Sequence, residues 1–392
     1  MGLGVTATGT DRHEQQSGRP LAPPHFTAEV IGSMLRPPEL QQAFAGLFGE
    51  ARIPAVELKR LEDRAVDRAI EIQEQAGVDV VTDGEMRRQS FVAALTEAAG
   101  GVTAVEQAAE TDSKMIWHGV DGVHSYATPI AITGPVTRGR SLSLEEFVYA
   151  RARTKKPIKV TLPSPLTLSN FWRPGVSTLV YDDPFDAFED GAAVLRDQIA
   201  DLVAAGCCYI QIDAPELVTH VLDEEKRRFW EAMGIPSERL LDEGVALINA
   251  VVGGYPDIYL TLHVCRGNMA GLWLTEGGYD TVARRVFGRV PNFDALALEY
   301  DTNRSGDFGP LAEVPDDKVV ILGLVSTKSN ELESATELRA RIDDAARCFP
   351  RQQLALSTQC GFASAAVGSP ITEATQLAKL KLVAEVAHSA LG

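Results

Sequence analysis

Short apolar runs recur along this chain, each followed by a longer stretch with helical spacing. They fall at residues 29–32, 79–82, 158–162, 209–212, 258–263, 295–299, 319–325 and 353–357. Each is β-branched or Leu-rich, and most are introduced by the Gly, Pro or Asp of a helix-to-strand turn. Between them lie helical patterns such as 57–75 and 184–204. Buried-type strands alternating with helices predict a parallel sheet, and eight is the number that closes a (β/α)8 TIM barrel. An open doubly wound sheet is the competing arrangement, but no glycine-rich phosphate loop follows the first run. One stretch breaks the alternation. From about residue 101 to 138 polar and apolar positions alternate, as in Met115-Ile116-Trp117-His118. That period of two predicts a β-hairpin inserted between barrel strands 2 and 3.

The expected organisation is one barrel domain over residues 26–392. Residues 1–25, rich in Gly, Thr, Gln and Pro and without an apolar stretch, are expected to form a mobile tail and not a signal peptide. A net charge of −17 opposes binding to nucleic acid or to an anionic membrane surface. No run approaches the roughly 20 apolar residues of a membrane helix. The five cysteines, an odd and scattered set, argue against a disulfide framework and for a reducing, cytoplasmic setting. Oligomeric state is not legible.

Barrel chemistry sits where strands end. The polar residues at those points are Ser33, Asp83, Glu85, Ser164, Asp213, Glu216, His263, Cys265, Glu299, Asp301, Ser326, Lys328 and Cys360. His263 and Cys265 stand two apart on a strand and therefore point to one side. Imidazole and thiolate together suit zinc. A lone His-x-Cys is a weak signal, because buried cysteine is commonly a small hydrophobe. Cys360, ending the eighth strand, adds a third ligand, and Glu299 offers a carboxylate as a fourth. Cys207, Cys208 and Cys348 lie away from these ends and read as structural.

Five segments carry a resemblance: Ile31-Gly32-Ser33, Thr82-Asp83-Gly84-Glu85, Gln211-Ile212-Asp213-Ala214-Pro215, His263-Val264-Cys265 and Gln359-Cys360-Gly361. Together they resemble the cobalamin-independent methionine synthase family over roughly residues 26–390, the part equivalent to the C-terminal catalytic barrel of its long enzymes. The resemblance implies a zinc site of His263, Cys265, Cys360 and Glu299, at which a thiol substrate becomes a thiolate nucleophile. It implies that Ser33, Glu85 and Asp213 hold the amino acid end of that thiol, the carboxylates meeting its ammonium group. The implied activity is that of an S-methyltransferase converting homocysteine to methionine.

Two departures touch the alkyl donor. Where the long enzymes carry an Asp-x-His pair after the seventh strand, thought to help protonate the folate leaving group, this chain reads Ser326-Thr327-Lys328. Lys328 is the candidate proton donor there, together with a catalytic role for Asp213. The folate-stacking Trp after the third strand has no match in register, Phe171 and Trp172 being close. The donor therefore stays open between methyltetrahydrofolate and a methylated corrinoid protein. A second reading resembles epoxyalkane:coenzyme M transferase, with Lys328 or Tyr300 meeting an alkoxide and Arg36, Arg87 or Arg266 binding a sulfonate. A third is a non-catalytic zinc-binding accessory protein.

Overall fold

Seven of the eight apolar runs pair into one parallel sheet. The computed structural model describes residues 26–46, 53–105, 115–119, 121–126 and 130–392. The tail expected over 1–25 lies outside the described residues. The strands are β1 (Ala28–Glu29), β2 (Ala99–Ala104), β3 (Met115–Gly119), β4 (Gly122–Tyr126), β5 (Ile130–Arg138), β6 (Val160–Pro163), β7 (Tyr209–Asp213), β8 (Tyr259–Val264), β9 (Ala295–Glu299), β10 (Val319–Val325) and β11 (Leu354–Thr358). The large sheet runs β1-β11-β10-β9-β8-β7-β6, every pair parallel. It is a curled sheet of the kind compatible with a TIM-like barrel.

The eighth run, 79–82, makes no ladder, yet it touches both edges of that sheet. Asp79 N donates to Ala28 O beside β1 (2.9 Å). On the other side Val81 N donates to Pro157 O (3.0 Å), and Lys159 N donates to Val81 O (2.9 Å). The segment is short of strand status for a local reason. Its neighbour β1 pairs over two residues only, and the chain turns away at once through Gly84 (φ 74°) and Glu85 (φ 57°).

Inside the curl, Ile31, Val80, Tyr209, Tyr259, Ala295, Ala297, Ile321 and Ala355 form one buried cluster, small residues facing large ones. Phe26 closes its lower end, stacked on Tyr209 with ring centroids 5.8 Å apart. Helices cover the outer face. That of Ala55–Ala76 buries Val66, Ala69, Ile70 and Gln73 and ends at Gly77 in the left-handed region (φ 87°), a helix stop that suits glycine. That of Pro184–Ala204 opens on Asp183, whose side chain accepts from Phe185 N. No helix among the described residues is long and apolar enough to cross a membrane.

Between the 79–82 segment and β6, the excursion consists of two antiparallel pairs, β2 with β5 and β3 with β4. It reaches the loop after β8. His118 N donates to Trp273 O (2.7 Å), and Trp273 N donates to His118 O (2.9 Å).

The sheet interior also carries a buried charge pair. Lys159 Nζ donates to Glu29 Oε2 (3.0 Å), which also accepts from Tyr209 Oη (2.6 Å). Breaking such a pair on one side strands a buried charge. Lys159→Met should therefore cost about 3–5 kcal/mol, read from urea unfolding. Adding Glu29→Gln should restore most of the loss.

Candidate functional site

Three metal-ligating side chains meet at the C-terminal ends of β8 and β11. His263 is the penultimate residue of β8, Cys265 follows that strand, and Cys360 follows β11 by two residues. All three are buried, and their ligand atoms lie within 4.8 Å of one another. The two sulfurs are 4.0 Å apart. Two strands separate β8 from β11 in the sheet. In a flat sheet the spacing would be about 14 Å, so curvature is what makes the cluster.

His263 Nδ1 lies 3.2 Å from Ala297 O, which fixes the ring and leaves Nε2 to the cluster. Nε2 is buried and has no hydrogen-bond partner. A buried polar nitrogen left this way is costly in isolation, and a cation between it and the sulfurs would satisfy it. The hydrogen bond between the two thiols sets their protonation. Cys265 is pushed well up by that contact and by burial, while Cys360 is held well down by Cys265 and then by the His263 imidazole. Burial opposes charge on His263, but the Cys360 thiolate, Asp213 and Glu299 outweigh it and raise its pKa.

Glu299 ends β9 and stands outside this group of three. Its Oε2 accepts from Arg266 N (2.7 Å), and its Oε1 is paired with Arg304. Burial alone would raise its pKa, and Lys328, Arg304 and Arg266 together bring it below the ordinary value. It is a carboxylate within electrostatic reach of the cluster, with both oxygens engaged.

Ser33, Glu85, Asp213 and Glu216 share with the cluster one cavity of about 680 Å³, counting its open mouth. Phe91, Trp117 and Leu274 give it apolar walls. Glu85 takes up a left-handed conformation (φ 57°) that few residues with a Cβ adopt, and its N–H is caught by Asp83 Oδ1 (3.0 Å). The turn sends Oε1 to the Thr161 hydroxyl (2.9 Å) and leaves Oε2 buried without a partner. Gly32 is required here, because a Cβ would fall 2.5 Å from Glu85 Oε1; a Cβ at Gly361 would overlap the Ser33 hydroxyl. Burial pushes Asp213 up to about 7, with His263 offsetting part of the effect and Glu85 adding to it.

Other residues singled out in the sequence lie elsewhere. Lys328 Nζ donates to Gly267 O (3.3 Å), Asn268 Oδ1 (3.2 Å) and Leu272 O (3.4 Å), pinning the loop after β8. Arg36 binds the carbonyls of Glu85, Arg88 and Ala363, and Arg266 those of Gly277, Glu299 and Ser305. Arg87 pairs with Glu62 and Asp63. None of these cations lines the cavity, nor do Tyr300, Phe171 or Trp172. A neighbouring cavity of about 820 Å³ shares Asn170, Thr219 and Leu274 with the first and is walled by His220 stacked on Trp230 (centroids 3.8 Å apart). Asn268 carries no sequence signal, and Thr327 and Gln359, which stand inside two of the motifs above, have a task that those motifs do not reveal. Asn268 Nδ2 donates to Gly361 O (2.7 Å) and to the Thr327 hydroxyl (3.2 Å), and Thr327 Oγ1 donates to Gln359 Oε1 (2.6 Å). These bonds join loops far apart in sequence, and no local pattern announces them.

Residues 26–388 match the family described as cobalamin-independent synthase, catalytic domain. An uncharacterized Bacillus subtilis protein, YxjH, is 34% identical over 93% of this chain and 94% of its own length. The 5-methyltetrahydropteroyltriglutamate–homocysteine methyltransferase of Mycobacterium leprae is 26% identical over 93% of this chain, but the match spans 44% of that longer enzyme. Among solved structures, one from Listeria monocytogenes described as a vitamin-B12-independent methionine synthase superposes with a TM-score of 0.68 at 27% identity, covering 94% of this chain and 98% of that one.

The raised Asp213 carboxyl has a consequence for stability. Its pKa is near 7 when folded and about 3.9 when unfolded. The stability it permits is fully present below pH about 4 and is lost as pH rises through about 7. Asp213→Asn removes that loss. In metal-free protein the variant should gain on wild type between pH 4 and 7 by up to about 4 kcal/mol, read from denaturation midpoints across pH.

Proposed function

The chain belongs to the cobalamin-independent synthase catalytic-domain family, whose named enzymes are homocysteine methyltransferases, and we propose that it methylates the sulfur of homocysteine to give methionine. The observation that carries this reading is the unpartnered His263 Nε2 beside two cysteine sulfurs, on the wall of a cavity that is also lined by three carboxyls and two serines. The donor set suits zinc, which His263, Cys265 and Cys360 would hold, with Glu299 as the carboxylate that would complete the set. Zinc held there would supply a Lewis acid that lowers the pKa of a thiol at neutral pH.

The chain's own residues do the remainder. Glu85 and Asp213 receive the substrate ammonium group, the free Glu85 Oε2 being aimed at no protein donor. The Ser33 hydroxyl, which accepts from Ala363 N (3.3 Å), turns its proton to the substrate carboxylate. Trp117 and Phe91 keep water from the sulfur. Lys328 serves by holding the loop after β8 and by its field on Glu299 and Cys360. The 79–82 segment, bonded to both sheet edges, acts as the eighth stave of a closed barrel. The sulfonate reading loses support because Arg36, Arg87 and Arg266 are engaged elsewhere. Methyltetrahydrofolate is the donor favoured by the family, and the free cysteines suit the cytoplasm.

Cys360→Ala should bind at least tenfold less zinc, read by metal analysis after dialysis. Asp213→Ala should keep its zinc and lose most methionine formation. Unchanged turnover in Asp213→Ala would remove the substrate pocket. A cobalt-loaded protein whose absorption ignores homocysteine would remove thiol activation, and with it the enzyme reading in favour of metal storage.

A further inference from the structure

Methyl transfer as described gives no task to one buried carboxyl on the cavity wall. Glu216 follows Pro215 in the turn after β7 and is 1% exposed, yet it lines the same cavity as His263, Cys265 and Cys360. Its Oε2 accepts from Ser164 Oγ (3.1 Å), and its Oε1 accepts from Thr167 Oγ1 (2.9 Å) and, at the long limit, Asn170 Nδ2 (3.5 Å). All three donors are neutral and come from the turn after β6, and no cation is among them. Burial pushes its pKa up to about 7, against the pull of its own backbone, Thr167, Ser164 and Asn170. The titratable groups facing the same space are Glu85, Asp213, His263 and the two thiols. His220 lies on the far side of that turn, with Nε2 2.8 Å from Ser169 Oγ and Nδ1 3.1 Å from Thr219 Oγ1. A glutamine would hold the turn as well, so the fold alone does not call for an acid.

We propose that Glu216 is the catalytic acid for the departing half of the alkyl donor. The assignment rests on the methyl-transfer reading and takes as donor an N-methyl amine of the reduced-pterin class. The thiolate sulfur forms its bond to the methyl carbon as the nitrogen–methyl bond breaks. The electron pair stays on nitrogen, which takes the proton from the Glu216 carboxyl. The resulting carboxylate is held by Ser164, Thr167 and Asn170, and it regains its proton from the one that the incoming thiol releases. Lys328 is poorly placed for this work, because it does not line the cavity and its ammonium group is engaged by the oxygens of Gly267, Asn268 and Leu272.

The test compares wild type and Glu216→Gln with two donors. Methyltetrahydrofolate leaves a nitrogen that needs a proton; methylcobalamin leaves a cobalt(I) species that needs none. Glu216→Gln should lose roughly 100-fold or more of kcat with the first donor and stay within about threefold with the second. The homocysteine response of cobalt-loaded protein should be unchanged. In wild type, kcat with methyltetrahydrofolate should fall as pH rises through about 7, and the variant should lack that limb. Equal rates for variant and wild type with methyltetrahydrofolate overturn the assignment. So does a parallel loss with both donors, or a wild type that accepts methylcobalamin alone. A wild type whose cobalt spectrum ignores homocysteine instead fails the methyl-transfer reading itself. Should Glu216→Gln not fold, Glu216→Asp replaces it. It keeps the acid at a shorter reach, and its rate should fall with methyltetrahydrofolate only.

Discussion

The 4.0 Å between the sulfurs of Cys265 and Cys360 is a statement about the whole sheet, because β9 and β10 lie between the strands that carry them. Side chains three strand spacings apart meet only across the inside of a curve. The curve in turn is set by what fills it. Tyrosines at 209 and 259 share one buried cluster with alanines at 295, 297 and 355, so large and small side chains fill it together. The ion pair of Lys159 and Glu29 lies within the same interior and ties the first strand to the third run. A change in curvature large enough to relax that packing would also part the two thiols.

Charge is sorted around the site in a consistent way. The cavity wall shows carboxyls, thiols and an imidazole, while Arg36, Arg266 and Lys328 sit behind it with their hydrogens on backbone or amide oxygens. Such a wall attracts cations and repels sulfonates or phosphates. A metal ion and an ammonium group both meet that condition. The carboxyls are also buried, which raises Asp213 and Glu216 to about 7. They are therefore soft in protonation at the pH of a cell, a common trait of groups that bind or pass protons.

Much of this arrangement is legible in the sequence, for physical reasons that differ between residues. His263 and Cys265 are readable together because strand side chains alternate, and Cys360 because a parallel sheet puts every strand end on one side. The helix over 184–204 agrees to the residue with Pro184–Ala204, since Asp183 and Pro184 mark its start chemically. The run 79–82 has the composition of a strand, but pairing depends on its neighbour, and two residues of β1 cannot support a ladder. The partners of Glu299 were beyond reach, because Arg304 and the Arg266 amide come from loops whose course no periodicity fixes. The same holds for Lys328. Its position after the seventh strand is plain, whereas its engagement with Gly267, Asn268 and Leu272 depends on how a distant loop folds back.

Strand β3 places Trp117 on the wall of one cavity and Ile116 and His118 on the wall of the next. It is a partition one residue thick, and its two faces are assigned by the backbone pairing of His118 with Trp273. That pairing is blind to side chains, so either lining can be rewritten in evolution without loosening the partition. It is not blind to register. A slip of one residue in the pairing of β3 with β4 and Trp273 would turn every side chain of the strand over and exchange the linings of the two chambers in one step. Substitution can therefore tune the chambers separately, while a shift of register there acts on both.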